Sequence, residues 1–475
     1  MESEKVKSLD MFFYPKTVAV IGASRDPKKT GNALIQNLLN YGYKGAIYPV
    51  NPTEDEILGV KAYRSAREIP GAVDLAIFTV PAPVVVKSME EWGQKGVQAA
   101  VIHSSGFAEA GKEGIELQKQ AVETARKYGI RLVGPNCVGI LCTESRLPWA
   151  RRSTFPTEVG NVSVISQSGG GGGSFVNLAV HRGICFNKVI SIGNECDVSV
   201  IDFMDYFRTD PRTDIIFIYL EGFKDGSRFL DVAKGLTSTK PVIVYKIGRT
   251  EVGERAAASH TGSLAGSIRV YDGVFRQTGV LRAEGIDEAL DYLVAFSNLF
   301  FKQGAPKGKR IGIVSGPGGP GVATADACME AGLEVPDFSE ETKNKIVASI
   351  TTAARANPTE TGDFGFVATM KERDPYGALV SIVEQDDSVD MIAIVGPGEF
   401  NPEGFRDVVL GVQNRCKKPF IVIWPSAGEG VETCKKSLEA AKIPLFSTPE
   451  RGAKALGALI RYQEMVRRLE RRESG

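Results

Sequence analysis

The chain has 475 residues, 43% hydrophobic and 24% charged, the mix of a soluble globular protein with room for about three domains. Lys+Arg and Asp+Glu each number 57, so no basic surplus marks nucleic acid as a partner, and no apolar run is long enough to span a membrane. The seven cysteines are scattered without a Cys-x-x-Cys pair, which argues against a disulfide framework and against a metal site. Met1-Glu2-Ser3-Glu4-Lys5 does not begin a signal peptide, and the expected location is cytoplasmic.

Taken in order, Thr17–Ile21 reads as a buried strand ending in Gly22-Ala23-Ser24, with Lys29 just before an amphipathic helix over 32–39. Ala46–Val50 is a second strand closing on Asn51-Pro52. Strands over 73–79 and 99–103 close on Val80-Pro81 and Ser104-Ser105-Gly106-Phe107, and Arg131–Val133 closes on Gly134-Pro135-Asn136-Cys137. Strands alternating with helices predict a parallel, doubly wound α/β sheet whose ligands bind beyond the strands' carboxyl ends. Gly22-Ala23-Ser24 has serine at the second glycine of a G-x-G-x-x-G fingerprint, which disfavours a nicotinamide dehydrogenase, and Pro27 defeats a Walker A reading. Ser24, Lys29 and the helix start still suit a phosphorylated ligand; a plain strand-to-helix turn is the simpler alternative.

Residues 138–157 read as a polar connector, and a second alternating unit follows. A strand over 162–165 ends in Ser166-Gln167-Ser168 and the run Gly169 to Gly173, before a helix over 174–181. The spacing of G-x-S-x-G is absent, so a serine hydrolase is not favoured. Hydroxyls with consecutive N–H groups at a helix start suit a phosphate or carboxylate: Ser166, Ser168, Gly169 and Gly170 are the candidates. A strand over 189–192 ends at Gly193-Asn194, and an almost wholly apolar strand over 214–220 stops at Glu221, a carboxylate placed to point into a site. Glu195 and Asp197 are its weaker competitors. The third unit begins after the linker 304–308, with strands over 310–314, Met391–Val395 and 420–424 and a Gly-rich turn over 316–321.

Within the second unit, after a strand over 241–246 and Gly248-Arg249, lies Ala256-Ala257-Ala258-Ser259-His260-Thr261-Gly262-Ser263-Leu264-Ala265-Gly266, whose histidine is one of only three in the chain. Neutral imidazole is a good nucleophile toward phosphorus, and small neighbours let it enter a narrow site. Locally, this is either a covalent phosphate carrier or a surface loop. Five extended residues on each side would let the tip reach about 15–18 Å.

Together these segments resemble the α subunit of ADP-forming acetyl-CoA synthetase, in the succinyl-CoA synthetase superfamily. The resemblance runs from about residue 10 to 465 and rests on Val80-Pro81-Ala82-Pro83, Gly134-Pro135-Asn136-Cys137, Ser166-Gln167-Ser168-Gly169, Lys246 with Gly248-Arg249, and Ser259-His260-Thr261-Gly262. It implies a Rossmann-like CoA-binding domain (residues 1–150) and two flavodoxin-like ligase domains (151–303 and 304–475). The implied reaction is acid + CoA + ATP ⇌ acyl-CoA + ADP + phosphate, through an acyl phosphate and a phosphohistidine. On that match His260 carries the phosphate and Glu221 stabilises it. Gly22, Ser24, Lys29, Asn51, Pro52, Val80, Pro81, Asn136 and Cys137 fall on CoA-binding turns. No stretch reads as an ATP-grasp module, so a β subunit holding ATP or ADP with Mg2+, in an α2β2 assembly, is the expected partner.

Three departures bear on substrate. The glycine run replaces Ala-Leu-Gly, which is expected to open space beside the acyl group, near Gly171 and Asn194. His103-Ser104-Ser105 and Trp149-Ala150-Arg151-Arg152 also differ from the acetate pattern. They point to an acid bulkier or more polar than acetate, with Arg151 meeting a second anionic group. Asn357-Pro358-Thr359-Glu360 stands where the family shows Asn-Pro-Val-Asp. A non-catalytic CoA-sensing or scaffold protein is the competing function.

Overall fold

The computed structural model describes residues 9–150, 155–255, 267–349, 375–399 and 401–473. The His260 loop, Arg151 and 357–360 lie outside them. The chain forms two compact units, Met1–Val176 with Cys185–Ala283, and Asn177–Ile184 with Glu284–Gly475.

The first unit holds two sheets. A short helix α1 (Asp10–Phe13) precedes β1 (Thr17–Ile21), α2 (Thr30–Tyr41) and β2 (Ala46–Val50). A small hairpin, β3 (Glu56–Ile57) and β4 (Val60–Lys61), leads to β5 (Leu75–Phe78), α3 (Ala82–Gln94), β6 (Ala99–Ile102), α4 (Lys112–Tyr128) and β7 (Arg131–Val133). The five long strands pair in parallel in the order β2-β1-β5-β6-β7. Their central members are buried on both faces, as continuous apolar runs require in a sheet covered by helices. The order reverses between β1 and β5, so a crevice opens there. A Cβ on Gly22 would lie 2.7 Å from both Thr79 Oγ1 and Val80 Cγ1, and φ there is +91°, so only glycine lets these two turns touch.

The second sheet begins with β8 (Gly139–Cys142), a strand inside the segment expected to be a polar connector. Its four residues are apolar and buried, and it pairs antiparallel with β10, an edge partnership that no local pattern reveals. Then come β9 (Val162–Ser166), α5 (Gly169–His181), β10 (Phe186–Ser191), α6 (Val200–Thr209), β11 (Ile215–Leu220), α7 (Gly226–Thr237), β12 (Val242–Lys246), α8 (Ile268–Thr278) and β13 (Leu281–Ala283). The order is β13-β12-β11-β9-β10-β8, parallel apart from β8. It reverses between β9 and β11, a second switch point. Helix α1 joins the sheets: Phe13 stacks on Tyr206 of α6 with ring centroids 5.2 Å apart, and the Tyr206 hydroxyl donates to Asp10 at 2.7 Å. Capping of α6 is reciprocal, Ser199 accepting from the Asp202 N–H while the Asp202 carboxylate accepts from the Ser199 N–H.

The helix expected over 174–181 starts five residues earlier, at Gly169. Glycine disfavours helices by about 1 kcal/mol per residue relative to alanine, but close packing outweighs that here. A Cβ would reach Val138 Cγ2 at 2.7 Å from Gly169, the Tyr219 ring at 2.6 Å from Gly171, and Ser166 Oγ at 2.5 Å from Gly172.

The second unit holds α9 (Ile286–Val294), β14 (Ile311–Ser315), α10 (Gly318–Glu330), α11 (Glu340–Ser349), α12 (Pro375–Val383), β15 (Met391–Val395), α13 (Pro402–Arg415), β16 (Phe420–Ile423), α14 (Glu429–Ala440), β17 (Leu445–Phe446) and α15 (Pro449–Glu473). Its described sheet is parallel, in the order β14-β15-β16-β17. The Gly-rich turn again opens a helix, α10, sooner than composition suggests. Among the described residues no helix is long and apolar enough to cross a membrane, and no group of His, Cys, Asp and Glu side chains could hold a metal ion.

Candidate active site

A cavity of about 340 Å³ lies in the first unit where strand ends of both sheets meet the start of α5. From the first sheet it takes Thr30, His103, Ser105, Asn136 and Cys137; from the second, Gln167, Ser168, Gly169, Gly170 and Asn194. Six residues singled out in the sequence are thus brought together: Asn136, Cys137, Ser168, Gly169, Gly170 and Asn194. His103 sits at the end of β6, its Nδ1 3.0 Å from the Cys137 carbonyl oxygen, and its ring packs over Gly139, where a Cβ would come within 2.7 Å of Cε1.

The start of α5 is built by its serines. Ser166 Oγ donates to the Ser168 carbonyl at 2.7 Å, and Ser168 Oγ accepts from the Gly171 N–H at 3.1 Å. Ser166 is fully buried and holds the turn, while Ser168 borders the cavity. The first N–H groups of a helix have no partner within it and favour anions. Gly169 and Gly170 present that end to the cavity.

The expectation that the whole glycine run widens the site is corrected by the packing. Gly171 and Gly172 are glycines because Tyr219 and Ser166 occupy the space, and Gly171 does not line the cavity. Only at Gly170, among the three central glycines of the run, would a Cβ meet nothing within 4 Å.

Asn194 is held from the first sheet's side. Its Nδ2 donates to the Glu109 carboxylate and, at 3.1 Å, to Gln118 Oε1. Glu109 Oε1 also accepts from the Gly106 N–H at 2.6 Å and from Phe107. Burial opposes ionisation of Glu109, yet these hydrogen bonds to the charged form hold its carboxyl below the ordinary range. Cys137 is a packing residue: its Sγ lies 3.3 Å from the Ile102 carbonyl, and burial pushes its thiol up to about 12, which removes it as a nucleophile.

Glu221 directly follows β11 and is 4% exposed. Its backbone, with that of Gly222, is tied to Gln167, a residue sequence reasoning passed over. Lys246, at the end of β12, donates to the Ile247 carbonyl and lies 4.9 Å from the centroid of the Tyr271 ring. Burial lowers its pKa against the opposing charges of Glu254 and Glu221.

The remaining CoA-turn candidates lie outside the cavity wall. Gly22 and Val80 meet at the first switch point. Asn51 bridges turns, donating to the Ala23 carbonyl at 2.7 Å and accepting from the N–H groups of Thr53 and Glu54. Ser24 Oγ accepts from the Asp26 N–H at 3.1 Å. Lys29, Pro52 and Pro81 are exposed around the same crevice. Two turns held in contact, a helix start and an exposed lysine make a cradle that fits a phosphorylated, extended ligand such as coenzyme A.

Residues 16–143 match the family described as a CoA binding domain, and residues 159–296 match the succinyl-CoA ligase like flavodoxin domain. The chain is 43% identical to the α subunit of acetate–CoA ligase [ADP-forming] II of Pyrococcus furiosus, over 96% of this chain and 98% of that one. It is 32% identical to 4-hydroxybutyrate–CoA ligase [ADP-forming] of Nitrosopumilus maritimus, over 95% of this chain and 64% of that longer one. A solved structure of acetyl-coenzyme A synthetase 1 of Ca. Korarchaeum cryptofilum, in complex with phosphate and ADP, superposes with a TM-score of 0.89 at 34% identity, covering 98% of each chain. A CoA-binding Rossmann-like domain joined to a succinyl-CoA ligase-like flavodoxin domain defines an acid–thiol ligase of the nucleoside-diphosphate-forming class. The chain belongs to the family of ADP-forming acetate–CoA ligase α subunits.

Proposed function

We propose that the chain is the α subunit of an ADP-forming acyl-CoA synthetase, in which CoA and an acyl phosphate meet in the cavity between β6, β7 and the start of α5. The supporting observation is that one cavity is walled both by CoA-domain turn residues (Asn136, Cys137) and by the N-terminus of a ligase-domain helix (Ser168 to Gly170). The CoA sulfur attacks the acyl carbon, the carbon–oxygen bond to phosphate breaks, and phosphate leaves with the electron pair onto the helix start. The thiol proton goes to the departing phosphate. The acyl phosphate is formed beforehand: His260 takes a phosphoryl group from ATP, releasing ADP, and passes it to a carboxylate oxygen of the acid, which frees the imidazole. In the opposite direction phosphate displaces CoA from acyl-CoA, and the resulting acyl phosphate hands its phosphoryl group to His260 and from there to ADP. Glu221 accepts a hydrogen bond from one imidazole nitrogen and leaves the other to bond phosphorus. Asn194 borders the acyl group, and Arg151 meets a second anionic group on the acid.

This reading divides the chain at about residues 150 and 303. It requires an ATP-grasp β subunit supplying ATP or ADP with Mg2+, in an α2β2 assembly in the cytoplasm. Acyl-CoA formation from acid, CoA and ATP is expected only when the chain is mixed with that subunit. Turnover by the chain alone, or by no mixture across a panel of acids, would refute it.

Gly170 sets the size of the acid. Gly170→Ala adds a methyl group into open space, so the fold is retained and helix propensity gains up to about 1 kcal/mol. KM for acids larger than acetate rises roughly 10-fold, the effect of about one methylene in a pocket, while acetate is little affected. An unchanged ratio of kcat/KM values between acetate and larger acids would sink this assignment.

A further inference from the structure

Gln167 follows β9 at the point where the strand order of the second sheet reverses, and it borders the cavity. Its side-chain amide is used on both sides. Oε1 accepts from the Glu221 N–H at 2.6 Å and the Gly222 N–H at 3.0 Å. Nε2 donates to the Gly222 carbonyl at 2.8 Å and to Glu195 Oε2 at 3.1 Å. One planar group thus clamps the end of β11 and the turn after β10. Glutamine does both at every pH, whereas an ionised carboxylate has no donor and an apolar group has neither.

We infer that Gln167 is a positioning residue for phosphoryl transfer, setting the backbone from which the Glu221 carboxylate is aimed and coupling it to Glu195 beside Asn194. The inference rests on the role given to Glu221 above. Glu195 is well placed to transmit the constraint: it is 7% exposed, it sits at φ +55°, and its Oε1 accepts from the Val200 N–H at 2.7 Å at the start of α6. Lys224 Nζ contacts the carbonyl oxygens of Asn194 and Glu195 at 3.0 and 2.6 Å, closing the same turn.

The test uses a titratable replacement. In Gln167→Glu a new carboxyl faces the Glu195 carboxylate, and like charges in contact raise the apparent pKa of the pair. Below that pKa one retained proton makes the group a donor and an acceptor, as glutamine is. As pH rises through it the donor is lost and the two charges repel. The charged groups around the pair are Glu221 and Lys224 after β11, Asp202 on α6 and Lys246 on β12. The wild type carries their titration too, so the quantity to follow is the variant-to-wild-type ratio.

With the chain assembled with its partner subunit, the rate of His260 phosphorylation is measured by intact mass, using inorganic phosphate with acetyl-CoA, butyryl-CoA and phenylacetyl-CoA. The Gln167→Glu ratio should fall about 10-fold or more between roughly pH 6 and pH 8.5, the range over which such a shared proton is lost. Gln167→Leu should be slower by roughly 10- to 100-fold at every pH, as expected for an ångström-scale misplacement, with KM for the acyl-CoA little changed. Melting temperatures are recorded alongside; should the leucine variant not fold, the glutamate variant still decides through its pH ratio. A flat ratio, or a leucine variant as fast as wild type, would overturn the positioning role alone. Wild type taking no phosphate on His260 would overturn the proposed function and this inference with it.

Discussion

His260→Ala lowers acyl-CoA synthesis by the assembled enzyme by about four orders of magnitude or more, the scale on which removal of a covalent nucleophile acts. On the proposed function, the phosphoryl group travels between the acid on this chain and a nucleotide on the partner subunit. With alanine at 260 the loop has lost its only imidazole, the group the relay needs to bond phosphorus. The half-reaction that needs no relay should survive: the interconversion of acyl phosphate plus CoA with acyl-CoA plus inorganic phosphate uses only the cavity. Glu221→Gln keeps the shape and removes the charge, so the relay slows by roughly 10²- to 10³-fold, the usual range for one electrostatic contact to the reacting group. A His260→Ala enzyme with normal synthesis would end the relay account, whereas loss of both synthesis and interconversion would indicate a collapsed site.

Gly31→Ala should be among the most damaging small substitutions in the CoA-binding domain. Its Cβ would stand 2.1 Å from the Gly22 carbonyl oxygen and 2.8 Å from the carbonyl carbon. These are backbone atoms at the end of β1, and they cannot step aside as a side-chain tip can. Relief must come from moving α2 away from the turn that touches Val80. Overpacking of this kind destabilises by about 3 kcal/mol, which lowers the melting midpoint by roughly 6–12 °C for a unit of this size. CoA affinity should fall as well, since the β1–α2 turn is part of the cradle. Gly226→Ala is the control: a Cβ there meets nothing within 4 Å, and its midpoint should stay near wild type. Equal midpoints for the two variants would contradict the packing argument.

Strands were the legible part of this fold. Thr17–Ile21, Ala46–Val50, Arg131–Val133 and Met391–Val395 are short runs that end in Gly, Pro, Ser or Asn, and they appear where composition puts them. Helix starts were not legible, because propensity treats Gly169 to Gly173 and Gly318-Gly319 as loop. In the first run the glycines fit against Val138, Tyr219 and Ser166, a tertiary fact. Strand β8 was hidden for a related reason, since its partner β10 lies more than 40 residues further along. In the site, the residues of the turn motifs were visible as motifs. The role of Gln167 was not, because a glutamine between two serines says nothing until the fold brings Glu195 and Glu221, 28 and 54 residues later, to it. His103 was visible as a departure at a strand end, and the cavity gives that departure a place.

The central claim is that phosphate passes through His260. Its most direct test is intact mass and peptide mapping of the wild-type chain, with its partner subunit, after incubation with inorganic phosphate and a panel of acyl-CoAs. Samples must be kept neutral to alkaline, because phosphohistidine is acid-labile. The account predicts one phosphoryl group, mapped to His260, appearing only with an acyl-CoA that the enzyme uses. Acyl-CoA synthesis without any such adduct, or with phosphate on another residue, would contradict it.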